Sequence, residues 1–137
     1  MAINGVILRK LQVLDEIIGE LRSLGTITEE QLTKNWLTMR AVERDLQIAV
    51  EVMIDVCQRL IALSGQTPVD SAGEAIERVV QMGALSNIYP YRQMVQFRNL
   101  VVHHYERVDI SVLVDIVNYH LNDFEAFRKE ILTYAQS

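Results

Sequence analysis

Apolar residues recur along the chain three and four positions apart, the period of a helix buried on one face. From about Ile3 to Leu24 the stripe is Ile7, Leu8, Leu11, Leu14, Ile18 and Leu21, and Gly25 follows as a C-cap. Thr28, with Gln31 three residues on, forms a capping-box signature. It opens a second pattern of Leu32, Trp36, Met39, Leu46, Val50, Met53, Cys57 and Leu60 that meets no Gly or Pro before Gly65. One helix to about Ser64 is therefore expected, roughly 50 Å long at 1.5 Å per residue.

Gly65 to Pro68 resets the chain, and Asp70 or Ser71 can cap a short helix through Met82 that Gly83 ends. A fourth helix begins near Tyr89 or Pro90, since proline suits a first turn. Asp109 caps the last, which carries Leu113, Ile116, Phe124, Phe127, Ile131 and Tyr134 at the helical period. No segment alternates like a half-buried strand. The expectation is an all-α fold, an antiparallel bundle of about five helices in a single domain over residues 1–137.

Half the residues are hydrophobic, which leaves apolar surface that a second copy could cover, so an oligomer is expected. Cys57 is the only cysteine, which excludes an intrachain disulfide and fits a reducing compartment. Charges at Arg9, Lys10 and Asp15 interrupt the first helix, and no later stretch is long enough to span a bilayer. The chain therefore reads as cytoplasmic, with no membrane partner.

The formal net charge of -5 argues against nucleic-acid binding through a broad basic surface. Locally the sign reverses. Between Tyr91 and Arg107 the chain holds Arg92, Arg98 and Arg107 against Glu106 alone, with His103 and His104 as further cations. Within that island Arg98, Asn99, His103 and Tyr105 occupy eight residues of an otherwise apolar helix, where such groups are costly without partners.

At about 100° per residue from Arg98, Tyr105 falls near -20°, Asn99 near 100°, His103 near 140° and His104 near 240°. Arg98 and Tyr105 share one stripe, while Asn99 and His103, at i and i+4, share the next and could orient each other. His104 faces elsewhere and carries no catalytic role. Arginine and histidine suffice in kind for metal-independent RNA cleavage: the imidazole moves the 2′-hydroxyl proton, and the guanidinium stabilises charge on the phosphorane-like transition state. One histidine cannot conveniently serve both the attacking and leaving oxygens, so two-fold pairing of the segment would complete the site. Spacing alone nevertheless favours a structural role, with Arg98 in a salt bridge, His103 hydrogen-bonded and Tyr105 packed at the helix end.

Other features carry less. Glu43, Glu51 and Asp55 could orient Arg98 or His103 across the bundle, but Arg40, Arg44 and Arg59 lie at neighbouring helical positions and favour a solvated charge ladder. His120 lies on the core-facing stripe between Ile116 and Phe124 and reads as a satisfied buried histidine. The histidines lack the spacing of a metal site, so no cofactor is expected. Met39, Met53, Met82, Met94 and Trp36 read as packing, Cys57 as an inert buried thiol, and GQTP lacks the lysine of a phosphate-binding loop.

The run FRNLVVHHYERVD resembles the signature of HEPN domains, an arginine, a polar residue, three further positions and a histidine. The tyrosine two residues beyond that histidine resembles the HepT toxin subgroup, and the likeness extends through AVERDLQIAVEVMIDVCQRLI and GALSNIYPYRQMVQFRNL. The resemblance implies a homodimeric toxin that cleaves RNA, partnered by a minimal nucleotidyltransferase antitoxin of the MntA kind. By it Arg98 and His103 are the catalytic pair, Asn99 their polar support, and Tyr105 the acceptor of AMP, which would add charge and bulk beside the RNA cleft. The alternative is a non-catalytic HEPN module that binds a nucleotide or a partner associated with a nucleotidyltransferase.

Overall fold

A computed structural model describes residues 5–103 and 108–136. Among the described residues the chain is all helix: α1 (Gly5–Arg22), α2 (Glu29–Lys34), α3 (Trp36–Leu63), α4 (Ala72–Gln81), α5 (Tyr89–His103), α6 (Ile110–Tyr119) and α7 (Leu121–Gln136). The all-α bundle follows the periodicity, but there are seven helices where about five were expected, because two long helices are each divided.

The first division is at Asn35. Its side-chain Oδ1 accepts from the Thr38 N–H at 3.1 Å, and its own N–H donates to the Leu32 carbonyl at 3.3 Å, so one residue closes α2 and caps α3. The helical phase restarts there. Leu32 and Met39 are buried, but Trp36, expected to pack in the core or at an interface, lies outside this core and opens α3 with 64% of its surface exposed beside Leu37.

The second division is at His120. Its backbone N–H still donates to the Ile116 carbonyl at 2.9 Å, and its carbonyl accepts from Asp123 to start α7. The ring lies outside the core, with Nε2 3.2 Å from Asp115 and Nδ1 3.2 Å from Asp123. The expectation of a buried histidine is corrected: the break turns His120 off the Ile116–Phe124 stripe, and two carboxylates hold it at the surface.

Predicted stops and starts hold elsewhere. Thr28 and Gln31 make both bonds of the capping box, Ser71 caps α4 through the Glu74 N–H, and Asp109 caps α6 through the Ser111 N–H. Gly25 and Gly83 take left-handed φ of 67° and 87° just past α1 and α4, a conformation that disfavours side chains with a Cβ.

One core joins all seven helices. α3, at 28 residues roughly 42 Å long, is its spine and packs against α1, α4 and α5. Leu46, Ala49, Val56, Cys57 and Leu60 on it are fully buried, and burial pushes the Cys57 thiol up to about 12. Asn118 on α6 clasps the loop after α1: its Oδ1 accepts from the Ile27 N–H at 3.0 Å and its Nδ2 donates to the Ile27 carbonyl at 2.9 Å. Among the described residues no helix is long and apolar enough to cross a membrane.

Candidate active site

α5 carries the candidate residues, and its start is fixed by local chemistry. Asn87 Oδ1 accepts from the Tyr89 N–H at 3.1 Å, and Pro90 supplies a first-turn residue with no N–H to satisfy. Tyr91 then locks the helix to α7. Its ring meets Phe127 edge-on at 5.6 Å between centroids, and its hydroxyl donates to Glu130 at 3.4 Å. Burial, then the Glu130 charge, raises the Tyr91 phenol well above its ordinary value, so it stays protonated. Arg92 is tied to Glu77 of α4 by an ion pair, which removes it from the free charge of the basic island.

Two turns later Arg98 behaves differently. It is partly buried on the side of α5 that faces α3 and α4, in an open pocket of about 280 Å³. The walls are Glu51, Ile54, Asp55 and Gln58 of α3 with Asp70, Ser71 and Ala72 at the start of α4. Three carboxylates line this pocket, yet none lies in an ion pair with Arg98, and its Nε is buried without a hydrogen-bond partner. The carboxylates of α3 are engaged elsewhere: Asp55 with Lys10 and Arg59, Glu51 with Gln47 at 3.0 Å, and farther along Glu43 with Arg40 at 3.3 Å. Two rungs of the expected charge ladder form, Arg40 with Glu43 and Arg59 with Asp55, while Glu51 bonds the neutral Gln47, and the idea that Glu43, Glu51 or Asp55 orients Arg98 by direct pairing is corrected.

Asn99 and His103 are exposed on another face of α5, as the spacing requires, and no hydrogen bond joins them. His103 is the last residue of the helix. Tyr105, together with His104, Glu106 and Arg107, lies outside the described residues. One copy thus presents a guanidinium in a pocket and an imidazole on an outward face, rather than both toward one point. Beside that outward face Leu100 is 47% exposed, and Tyr89 and Gln93 continue it toward the start of α5.

A second hollow of about 260 Å³ lies between α5 and the α6–α7 junction. Met94, Phe97, Leu100 and Ile116 form its floor, and His120 with its two aspartates forms its rim. Spacing gave no sign of this arrangement, since it depends on the break at His120. Lys10 was likewise passed over, because its significance comes only from the approach of α1 to Asp55. Among the described residues no three of His, Cys, Asp and Glu converge to hold a metal ion.

The family model described as "Ribonuclease HepT-like" matches residues 14–131. A protein of Shewanella oneidensis named mRNA nuclease HepT is 22% identical over 126 residues, spanning 90% of this chain and 94% of its own. The fold matches the tri-AMPylated Shewanella oneidensis HEPN toxin, solved in complex with its MNT antitoxin, with a TM-score of 0.86 at 22% identity over 96% of this chain and 99% of that one. It also matches YutE of Bacillus subtilis, a cytosolic protein of unknown function, with a TM-score of 0.83 at 16% identity over 96% and 90% of the two chains.

Proposed function

The chain belongs to the HepT-like ribonuclease family, and from that premise we propose that it is a cytoplasmic toxin that cuts RNA without a metal ion, through Arg98 and His103 in a cleft shared by two copies. The observation that carries the reading is the state of Arg98. Its Nε is buried without a partner in a pocket where Asp55 pairs with Lys10 and Arg59 and Glu51 bonds Gln47, so neither α3 carboxylate of the wall claims it. A guanidinium left free suits a phosphate, whose paired oxygens match its geometry.

In the proposed reaction the substrate's own 2′-hydroxyl attacks the adjacent phosphorus. His103 of one copy accepts the hydroxyl proton, Arg98 of the other stabilises the added negative charge, and the second His103 returns a proton to the departing 5′-oxygen. The P–O5′ bond breaks as the P–O2′ bond forms, so the products are a cyclic phosphate and a 5′-hydroxyl. Asn99, one turn before His103 on the same stripe, supports the imidazole. The exposed stripe of α5 is the surface about which two copies would pair.

The relative's complex with an MNT antitoxin and its AMPylated state support a minimal nucleotidyltransferase as this chain's partner, and the sequence resemblance puts the acceptor at Tyr105. AMP two residues past His103 would place a phosphate and a purine beside the RNA path and exclude substrate by charge and bulk. One observation favours the second reading, a HEPN module that binds a nucleotide or a partner without cutting: within one copy Arg98 and His103 stand on different faces of α5.

The two readings separate in one experiment. Purified wild-type chain, with a chelator present, should cleave RNA and run as a dimer, and Arg98→Ala and His103→Ala should each abolish cleavage with the dimer intact. Retained cleavage in both variants would sink the assignment. For Tyr105, incubation with the cognate nucleotidyltransferase and ATP should add adenylate-sized mass increments, absent in Tyr105→Phe.

A further inference from the structure

We propose that Lys10 and Arg59 are positioning residues for Arg98: by occupying both oxygens of Asp55 they prevent Asp55 from capturing the guanidinium that the phosphate needs. The proposal rests on the reading of Arg98 given above. Asp55 lies on the stripe of α3 that faces the Arg98 pocket, together with Glu51, Ile54 and Gln58 at helical spacing. α1 packs on α3, so a cation reaches this stripe from a neighbouring helix as well as from α3 itself. From α1, Lys10 Nζ binds Asp55 Oδ2; from one turn along α3, Arg59 Nε lies 3.7 Å from Oδ1.

The arrangement leaves each carboxylate in the pocket with a different fate. Both Asp55 oxygens are claimed, one Glu51 oxygen accepts from Gln47, and Asp70 sits exposed where the chain enters α4. Among the described residues no ion pair reaches Arg98, and its Nε has no hydrogen-bond partner. Were Asp55 released, it would compete with phosphate for Arg98 from the wall of the same pocket. Carboxylate and phosphate offer a guanidinium the same paired-oxygen geometry, so capture by one excludes the other. Lys10 and Arg59 need not touch RNA to matter; their effect passes through Asp55.

The test uses the full chain with Lys10 and Arg59 both changed to methionine, which keeps the stems and removes the charges. The Arg98 Nε–Hε signal is followed by nitrogen-15 NMR without RNA, assigned by its loss in Arg98→Lys, and RNA cleavage is followed alongside. The Arg98 signal should shift and exchange more slowly with water, and kcat should fall about fivefold, the population shift a partly exposed ion pair sustains. Adding Asp55→Asn should return both readouts toward wild type. Lys10→Gln alone, a milder change that retains Arg59, should move both in the same direction by less.

An Arg98 signal unchanged in both variants would overturn the proposal. So would a cleavage loss that Asp55→Asn fails to relieve and that shows as a higher KM with a shallower salt dependence, the mark of direct phosphate contacts. If the wild-type chain itself cut no RNA, the reading of the site would fail, while the NMR arm would still decide whether Asp55 takes Arg98.

Discussion

Replacing Arg98 by methionine should make the protein more stable and inactive at once. Methionine keeps the length of the arginine stem that packs between α5 and α3, and it removes a guanidinium whose Nε is buried without a partner. A buried unsatisfied polar atom costs about 1–3 kcal/mol. The low end applies here because Arg98 is only partly buried and its pocket opens to solvent. A net gain of about 1 kcal/mol should raise Tm by about 3 °C for a chain of this length. If Arg98 meets transition-state charge as proposed, its loss should lower cleavage by about a thousandfold. The assay is thermal unfolding by circular dichroism beside RNA cleavage on the same preparation. Arg128 supplies the control: its Nε is also buried and unpartnered, but it lies on α7 away from the pocket. Arg128→Met should gain stability and keep cleavage. A fall in Tm for Arg98→Met would refute the reasoning, since only a satisfied, structural arginine is missed by the fold.

Other perturbations probe the frame that holds the site. Asn118→Ala removes both bonds to Ile27 and should cost about 2 kcal/mol in urea unfolding; a loss under half that would mean water replaces the clasp. Asp45 is raised to about 6 by burial, then by its hydrogen bond to Glu20 and the Glu20 charge. A raised carboxyl contributes stability that is complete below its unfolded value and is lost as pH rises through its folded one. Asp45→Asn should therefore stabilise the protein relative to wild type above about pH 7, with the difference shrinking toward pH 4; a pH-independent difference in Tm would contradict this. Cys57, fully buried with its thiol pushed up to about 12, should resist an aromatic disulfide reagent until the chain unfolds, and rapid labelling of native protein would contradict its place in the core.

The features that were legible in the sequence are those decided within a few residues. The capping box at Thr28 and Gln31, the cap at Asp109 and the left-handed glycines at 25 and 83 act through bonds to near neighbours, so their residue types announce them. The breaks at Asn35 and His120 were hidden because the apolar period runs through both. Leu32, Trp36 and Met39 fit one helical stripe on paper, and only the Asn35 side chain bonding to Thr38 shows that the stripe is reset. The same limit applies to the site. The spacing of Arg98, Asn99 and His103 placed them correctly on two faces of α5, but that Asp55 is claimed by Lys10 depends on how α1 lies against α3. Partners separated by 45 residues of chain leave no local pattern to read.

The central claim is that two copies build one site, and poisoning the wild-type dimer with a dead copy tests it most directly. Wild-type and His103→Ala chains, unfolded and refolded together in graded proportions, form mixed dimers, shown by differently sized tags, that keep only one of the two imidazoles the proposed reaction uses. Cleavage of RNA in the presence of a chelator should fall as the square of the wild-type fraction, since only dimers with both His103 side chains complete the cleft. A fall in simple proportion to the wild-type fraction would mean that each copy works alone and would contradict a shared cleft.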